Sequence, residues 1–334
     1  MMRGKLSWAA AVREPSGRIY VEEHELPAPD SRSAWQRLPI VRGYVSFVES
    51  MLLSYKAMCV ASDHAYDDEG ETYASLLAAG RVSPVVAGET RAVAEDGGEP
   101  AGTDDASASS PEPMSSVAFG LSMALGLLLG IALFMAIPVA VANLLVGDYA
   151  PANAIAWNLV EAVLRIAIFV AYIWAIGLMP DMRRLFGYHG AEHLTIHCFE
   201  HGLELTPANA ARFSCLHVRC GTAFLIMTMI VAILVNTLVP LASWAEALGL
   251  AGVGRAAFVL ASRLVLLPLV AGVSYEVTVK WAGSHPNLWL VRLVLWPGLQ
   301  MQRLTTRVPD EGMLECAIAA MERVRATELA VGLE

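Results

Sequence analysis

Positive charge is scarce in this chain. Its 23 lysines and arginines face 32 acids, a formal charge of −9 over 334 residues. A surface of that sign repels phosphate backbones and argues against a nucleic-acid partner. Cysteine is also scarce and odd in number: Cys59, Cys198, Cys215, Cys220 and Cys316. Five scattered thiols do not suggest a disulfide framework and agree with a reducing compartment. The opening residues, MMRGKLSWAAAVREPSGR, hold no apolar run of leader length, so no signal peptide is expected. Charge itself is missing from long stretches, and residues 117–147 carry none.

What fills those stretches is apolar. The hydrophobic content is 56% and the mean hydropathy +0.50, which suits an integral membrane protein. The expected architecture is mainly α, a polytopic chain with about four transmembrane helices and a small N-terminal α+β region. The spans are placed at 117–147, 154–179 (with Glu161 and Arg165), 221–244 and 255–275 (with Arg263). Each is long enough for a hydrocarbon core of about 30 Å. Residues 286–300, PNLWLVRLVLWPGLQ, are too short and interrupted to span. Trp289 and Trp296 suit an interfacial or re-entrant segment.

Four regions follow. Residues 1–78 form a soluble or interfacial region, with a hairpin around Pro15-Ser16-Gly17 and an amphipathic helix over roughly 40–61. Residues 79–115 hold seven acids and two arginines among Gly, Ser, Ala and Pro. Such a segment buries too little apolar surface to offset its ordering entropy, so a disordered linker is expected. Residues 116–310 form the transmembrane domain, with a histidine-rich loop at 180–220, and residues 311–334 a C-terminal helix. The 148–153 and 245–254 connections lack Lys and Arg, whereas Arg183, Arg184, Arg212, Arg219, Lys280, Arg292, Arg303 and Arg307 flank the other ends. The positive-inside rule puts both termini and the 180–220 loop in the cytoplasm.

That loop carries the chemistry. In YHGAEHLTIHCFEHG, His189, His193, His197 and His201 recur every fourth residue. On a helix, positions four apart drift by only about 40°, so all four share a face, with Glu192 and Glu200 beside them. His189-x-x-Glu192-His193 has the H-x-x-E-H spacing, in which two imidazoles reach one metal ion and the carboxylate binds it or acts as base. Thr206-Pro207 opens a second short helix. Beyond it stand His217 and Cys220, either of which completes a set begun by His189 and His193. Glu276 is a further carboxylate, or a partner for Lys280. His197 and His201 read as a solvated extension of the face, and Cys198 and Cys215 as inert small residues. Charges inside spans usually pair, so Glu161, Arg165 and Arg263 read as a structural cluster or, alternatively, a headgroup or ion pathway.

The motifs AVREPSGRI, LPIVRGYVSFVESMLLSYKAM, YHGAEH, RCGTAF, SYE and PGLQMQRLTTRVPD, in that order, resemble the YqhQ-like family of bacterial membrane proteins. It is a domain of unknown function labelled a putative metal-dependent enzyme. The resemblance spans nearly the whole chain except the acidic linker and implies a bacterial cytoplasmic membrane. The family's motif residues fall on His189, Glu192 and His193, on His217, Arg219, Cys220, Gly221, Thr222 and Phe224, on Ser274, Tyr275 and Glu276, and on Leu304 to Arg307. Val218 and Ala223 replace the family's proline and serine, and His197 and His201 are outside its pattern. The family usually opens on a Gly-rich stretch ending G-V-M-M-R, whereas this chain opens at MMRG, so a longer native N-terminus is expected.

Two classes of function follow. In the first, His189 and His193 bind a divalent metal, zinc by their chemistry, and His217, Cys220 or Glu276 completes the ligand set. Glu192 is the catalytic base of a hydrolase, and its substrate is a lipid-linked compound or membrane-protein segment. In the second, the chain is a non-catalytic membrane assembly or transport-accessory factor with a structural metal.

Overall fold

A computed structural model describes residues 1–27, 32–66, 72–81, 116–147, 149, 152–218, 220–285 and 288–332. Most of the acidic linker, residues 82–115, and Arg219 lie outside the described residues. The chain separates into two compact units. The first joins 1–102, 180–227 and 271–334, and the second joins 103–179 and 228–270.

The first unit begins with a three-stranded antiparallel sheet, β1 (Met2–Arg3), β2 (Ser7–Arg13) and β3 (Ile19–Glu25), in that order. The expected hairpin is β2–β3, closed at Arg13↔Ile19, with Gly17 at φ 87° in its turn. The sequence alternates only weakly there because β2 is buried on both faces. Trp8, Ala10 and Val12 pack against Leu53 and Val60 of α1 (Val41–His64). Ala9, with Ile19 and Val21 of β3, packs on the opposite face against Ala191, Leu194, Leu314 and Ile318. Successive strand residues point to opposite faces, so a doubly covered strand loses the polar half of its pattern. The opposite cover is α6 (Pro180–Glu200) and α13 (Glu311–Ala330), the latter capped by Asp310, whose side chain accepts from the Met313 amide at 2.8 Å. Arg13 ties the hairpin to α13 through Glu315 at 2.5 Å and the Gly17 and Gly312 carbonyls.

In the same unit, α1 opens on Ile40, held at φ 71°. Arg42 donates twice to Glu276, at 2.7 and 2.6 Å, and the Ile40 amide donates to the same carboxylate at 3.4 Å. Gly43 and Gly272 let the backbones meet: a Cβ on Gly272 would sit 2.4 Å from the Ile40 carbonyl oxygen.

Among the described residues, three helical segments are long and apolar enough to cross a membrane, as a membrane protein requires: Ala124–Val146, Ile155–Ile176 and Gly252–Trp281. At about 1.5 Å per residue, 22 residues rise roughly 33 Å. The first runs through α3 (Ser116–Ile131), a π turn at Ala132–Ala136 and α4 (Ile137–Val146). The second lies in α5 (Ala154–Ile176). The expected span at 221–244 is divided. α8 (Gly221–Leu238) stops ahead of Pro240, α9 (Leu241–Ala247) follows, and the apolar stretch described in α8 is the shorter Phe224–Val235. Proline disfavours the helical conformation in the residue before it and has no amide to bond back into α8, which favours a break at Pro240. The last span is α10 (Gly252–Tyr275), continued by a π turn at Glu276–Trp281 and α11 (Ala282–Ser284). The expected interfacial segment is α12 (Trp289–Thr305), with Trp289 and Trp296 exposed.

Within the second unit, Arg165 pairs with Glu161 one turn away and donates to the Phe134 carbonyl at 3.1 Å. Arg263 stands 3.9 Å from the same carboxylate. The π turn places Phe134, so a widened helical turn supplies the acceptor for an arginine inside the spans.

Candidate metal centre

α6 carries His189, His193 and His197, with His201 just past its last residue, and two later segments close on it. The first is the return from α7 (Pro207–Ala210), whose N-cap Thr206 accepts from the Asn209 amide. Residues 214–218 and Cys220 then lie beside α6. The second is the α12–α13 connection, Thr305 to Arg307. Its approach depends on two glycines. A Cβ on Gly190 would lie 2.0 Å from the Arg307 carbonyl oxygen, and one on Gly187 2.6 Å from the Met313 sulfur. The Arg307 amide donates to the Phe186 carbonyl at 2.9 Å.

This closeness fixes the ring orientations. Nδ1 of His189 donates to the Thr305 carbonyl at 2.8 Å, and Nδ1 of His193 to the Cys215 carbonyl. A carbonyl only accepts, so each Nδ1 carries a proton and each Nε2 is the remaining ligand atom. Nε2 of His189 lies 3.1 Å from the Cys220 sulfur. The ligand atoms of His189, His193 and Cys220 all fall within 4.8 Å of one another. Zinc binds imidazole at about 2.0 Å and thiolate at about 2.3 Å, so two ligands on one tetrahedral ion sit roughly 3.5 Å apart. The residues fit such an ion, and the backbone carbonyls behind the rings are the outer support that metal-binding histidines use.

Cys220 immediately precedes α8. The Thr222 amide reaches its sulfur at 3.4 Å and the Thr222 hydroxyl at 3.1 Å. Burial alone would raise the thiol, but hydrogen bonds from His189 and His193 overcome it and bring it to about 5. Burial likewise pulls His189 down, yet its bond to Cys220 and the thiolate charge leave it above its ordinary value, with a smaller push from Glu192. Without a metal, each member of the pair favours the charged form of the other.

The other expected residues are not in the three-ligand group. Glu192 is half-buried, outside the three-residue group, with Oε1 2.5 Å from the Met1 nitrogen. Glu276 is engaged by Arg42. His217 is 4% exposed and turns its Nε2 toward Glu200, at 3.4 Å. Burial holds its ring below the ordinary histidine value, against the pull of Glu200. His197 donates from Nε2 to the Leu216 carbonyl at 2.9 Å, and His201 from Nδ1 to the His197 carbonyl at 2.7 Å. Sequence reasoning gave no role to Gln302, which is fully buried. Its side chain accepts from the His217 amide and donates to the His217 carbonyl, both at 2.8 Å. A glutamine inside PGLQMQRLTTR was the only available signal.

Helices of membrane-spanning length are consistent with a membrane protein, and the histidine–cysteine cluster ahead of α8 gives it residues able to hold a metal. The chain belongs to the family described as "Protein of unknown function (DUF1385)", whose model matches residues 38–327. It is 32% identical over 170 residues to the uncharacterized protein YqhQ of Bacillus subtilis (strain 168), a match covering 51% of this chain and 49% of that one. The chain thus matches about half the length of that relative. No solved structure matches it.

Proposed function

We propose that this chain is a membrane metalloenzyme. His189, His193 and Cys220 hold a zinc ion, at the cytoplasmic edge of the bilayer. The observation that carries this reading is the pair of Nδ1 bonds to backbone carbonyls, which turns both Nε2 atoms toward one thiolate. Two imidazoles and a thiolate suit zinc better than magnesium or calcium. The group holds three ligands among the described residues, and three protein ligands are what catalytic zinc sites use, whereas structural sites close with four. An ion held there supplies Lewis-acid polarisation and makes a water molecule easier to deprotonate.

The chain's own residues do the rest. Glu192, next on the helix to His193, takes the proton from the attacking water and returns it to the leaving group. Gly190 admits the Thr305–Arg307 connection, which keeps His189 from rotating. Cys220 caps a helix whose apolar stretch starts at Phe224, so an acyl or peptide bond reaching the site comes from the membrane interface. The substrate class is a lipid-linked compound or a membrane-protein segment, and the reaction is hydrolysis.

The test is metal analysis of the purified full chain beside His193→Ala and Glu192→Gln. The expected result is stoichiometric zinc in wild type, loss of the Cys220-bound ion in His193→Ala, and retention in Glu192→Gln. Wild-type protein without zinc, iron or manganese would sink the reading. Membrane lipid and peptide extracts incubated with each protein, followed by mass spectrometry, separate enzyme from scaffold. Products that need Glu192 support hydrolysis. A tightly held ion with no Glu192-dependent product means a structural metal in an accessory factor.

A further inference from the structure

The geometry points to a second, outer zinc site on the same helix, formed by His197, Glu200 and His217. Their ligand atoms also fall within 4.8 Å of one another. Glu200 follows His197 by three positions on α6, so both lie on one face. His217 arrives from the return segment, its ring centroid 4.8 Å from that of His197.

Three features single this group out from a solvated face. His217 is buried, and its main chain is gripped from both sides by Gln302, so the ring is presented rather than adrift. His197 repeats the device of the inner pair. A backbone carbonyl, that of Leu216, takes the proton of one ring nitrogen and leaves the other as ligand atom. Phe213 lies along the His197 ring, interplanar angle 20° and centroids 5.9 Å apart. The Glu200–His217 separation also suits a shared ion. At 3.4 Å it is longer than a charge-assisted hydrogen bond of about 2.8 Å. It matches the roughly 3.3 Å between a nitrogen and an oxygen each about 2.0–2.1 Å from one tetrahedral ion.

Two imidazoles and a carboxylate form a set that zinc uses widely. Glu200 is exposed while the inner site is more enclosed. The outer ion therefore exchanges faster and binds more weakly than the inner one. His201 stays outside the set. The outer site does not depend on catalysis at the inner one.

Cobalt distinguishes the two sites, because only the inner one offers a thiolate and so a sulfur-to-metal charge-transfer band. The purified full chain, stripped with chelator in detergent, is titrated with Co²⁺ and separately with Zn²⁺. Two ions per chain are expected in wild type. His197→Ala and Glu200→Gln each bind one, with the charge-transfer band intact. Cys220→Ser binds one, without the band. All three replacements are at positions away from the Gln302 grip, and circular dichroism checks that each variant folds. A wild-type chain that stops at one ion, with the band present and unmoved by His197→Ala, overturns the outer site. One ion without the band, lost in His197→Ala, supports the outer site and overturns the inner one. Loss of both ions in every variant means a single shared site and also overturns the proposal.

Discussion

Gly190 shows how much of the candidate centre rests on an atom that is not there. With a Cβ at this position, the Arg307 carbonyl must retreat, and Thr305 retreats with it. His189 then loses the acceptor that fixes its ring. Gly190→Ala is expected to weaken the inner ion by about 10- to 100-fold, the usual effect of disturbing the support behind a ligand. Competition with a chromophoric chelator reads that change. Cys220 gives a second test. In chelator-treated protein with the other four cysteines replaced, alkylation requires the thiolate. The rate should hold from pH 9 down to about 6 and fall as pH drops through about 5. His189→Ala should move that inflection upward, toward the ordinary thiol, and bound zinc should suppress the reaction at every pH.

Among the elements, the junction of α1 with the end of α10 has a purpose distinct from the metal. Glu276 holds Arg42 and the Ile40 amide, and this stabilises a β-branched residue in the left-handed region, which costs of order 1–3 kcal/mol. Glu276→Gln is expected to leave zinc content unchanged while lowering the melting temperature. A drop in zinc would return Glu276 to the ligand set. β2 is the other test element. Trp8 is 1% exposed between the sheet and α1, and Trp8→Ala should cost about 3–5 kcal/mol, measured as loss of the folded fraction in thermal melts. The hairpin, α1 and α13 could all be read from the sequence, because turn residues and periodic apolar positions are local signals. The pairing of Arg42 with Glu276 could not, since 234 residues separate them. Likewise His189, His193 and Cys220 were visible as ligand types at suitable spacing. Their carbonyl partners were not, because a backbone acceptor leaves no trace in residue identity. His217 read as a companion of His189, and only the course of residues 214–220 turns it toward Glu200.

At the scale of the whole molecule, the two units place different demands on the chain. The second unit exposes leucines such as Leu125, Leu128, Leu144 and Leu145 along its apolar helices, a surface larger than water-facing proteins leave open. The chain should stay in the membrane pellet after alkaline carbonate extraction. Release into the supernatant would refute the membrane assignment. Inside that unit, Glu161 serves two arginines. Removing one partner from a buried ionic cluster is worse than removing a matched pair. Glu161→Gln should therefore reduce the yield of monodisperse protein in detergent more than Glu161→Gln with Arg165→Met does. Equal yields would show that the cluster is solvated.

Gln302 recognises position 217 by its amide and carbonyl, not by its side chain. A residue at 217 that fits the buried space of the imidazole keeps that grip, and proline, with no amide hydrogen, loses half of it. The return segment therefore holds its course whether or not a histidine stands there, and Cys220 still reaches His189. Substitutions at 197, 200 or 217 are therefore expected to leave the His189–Cys220 contact in place.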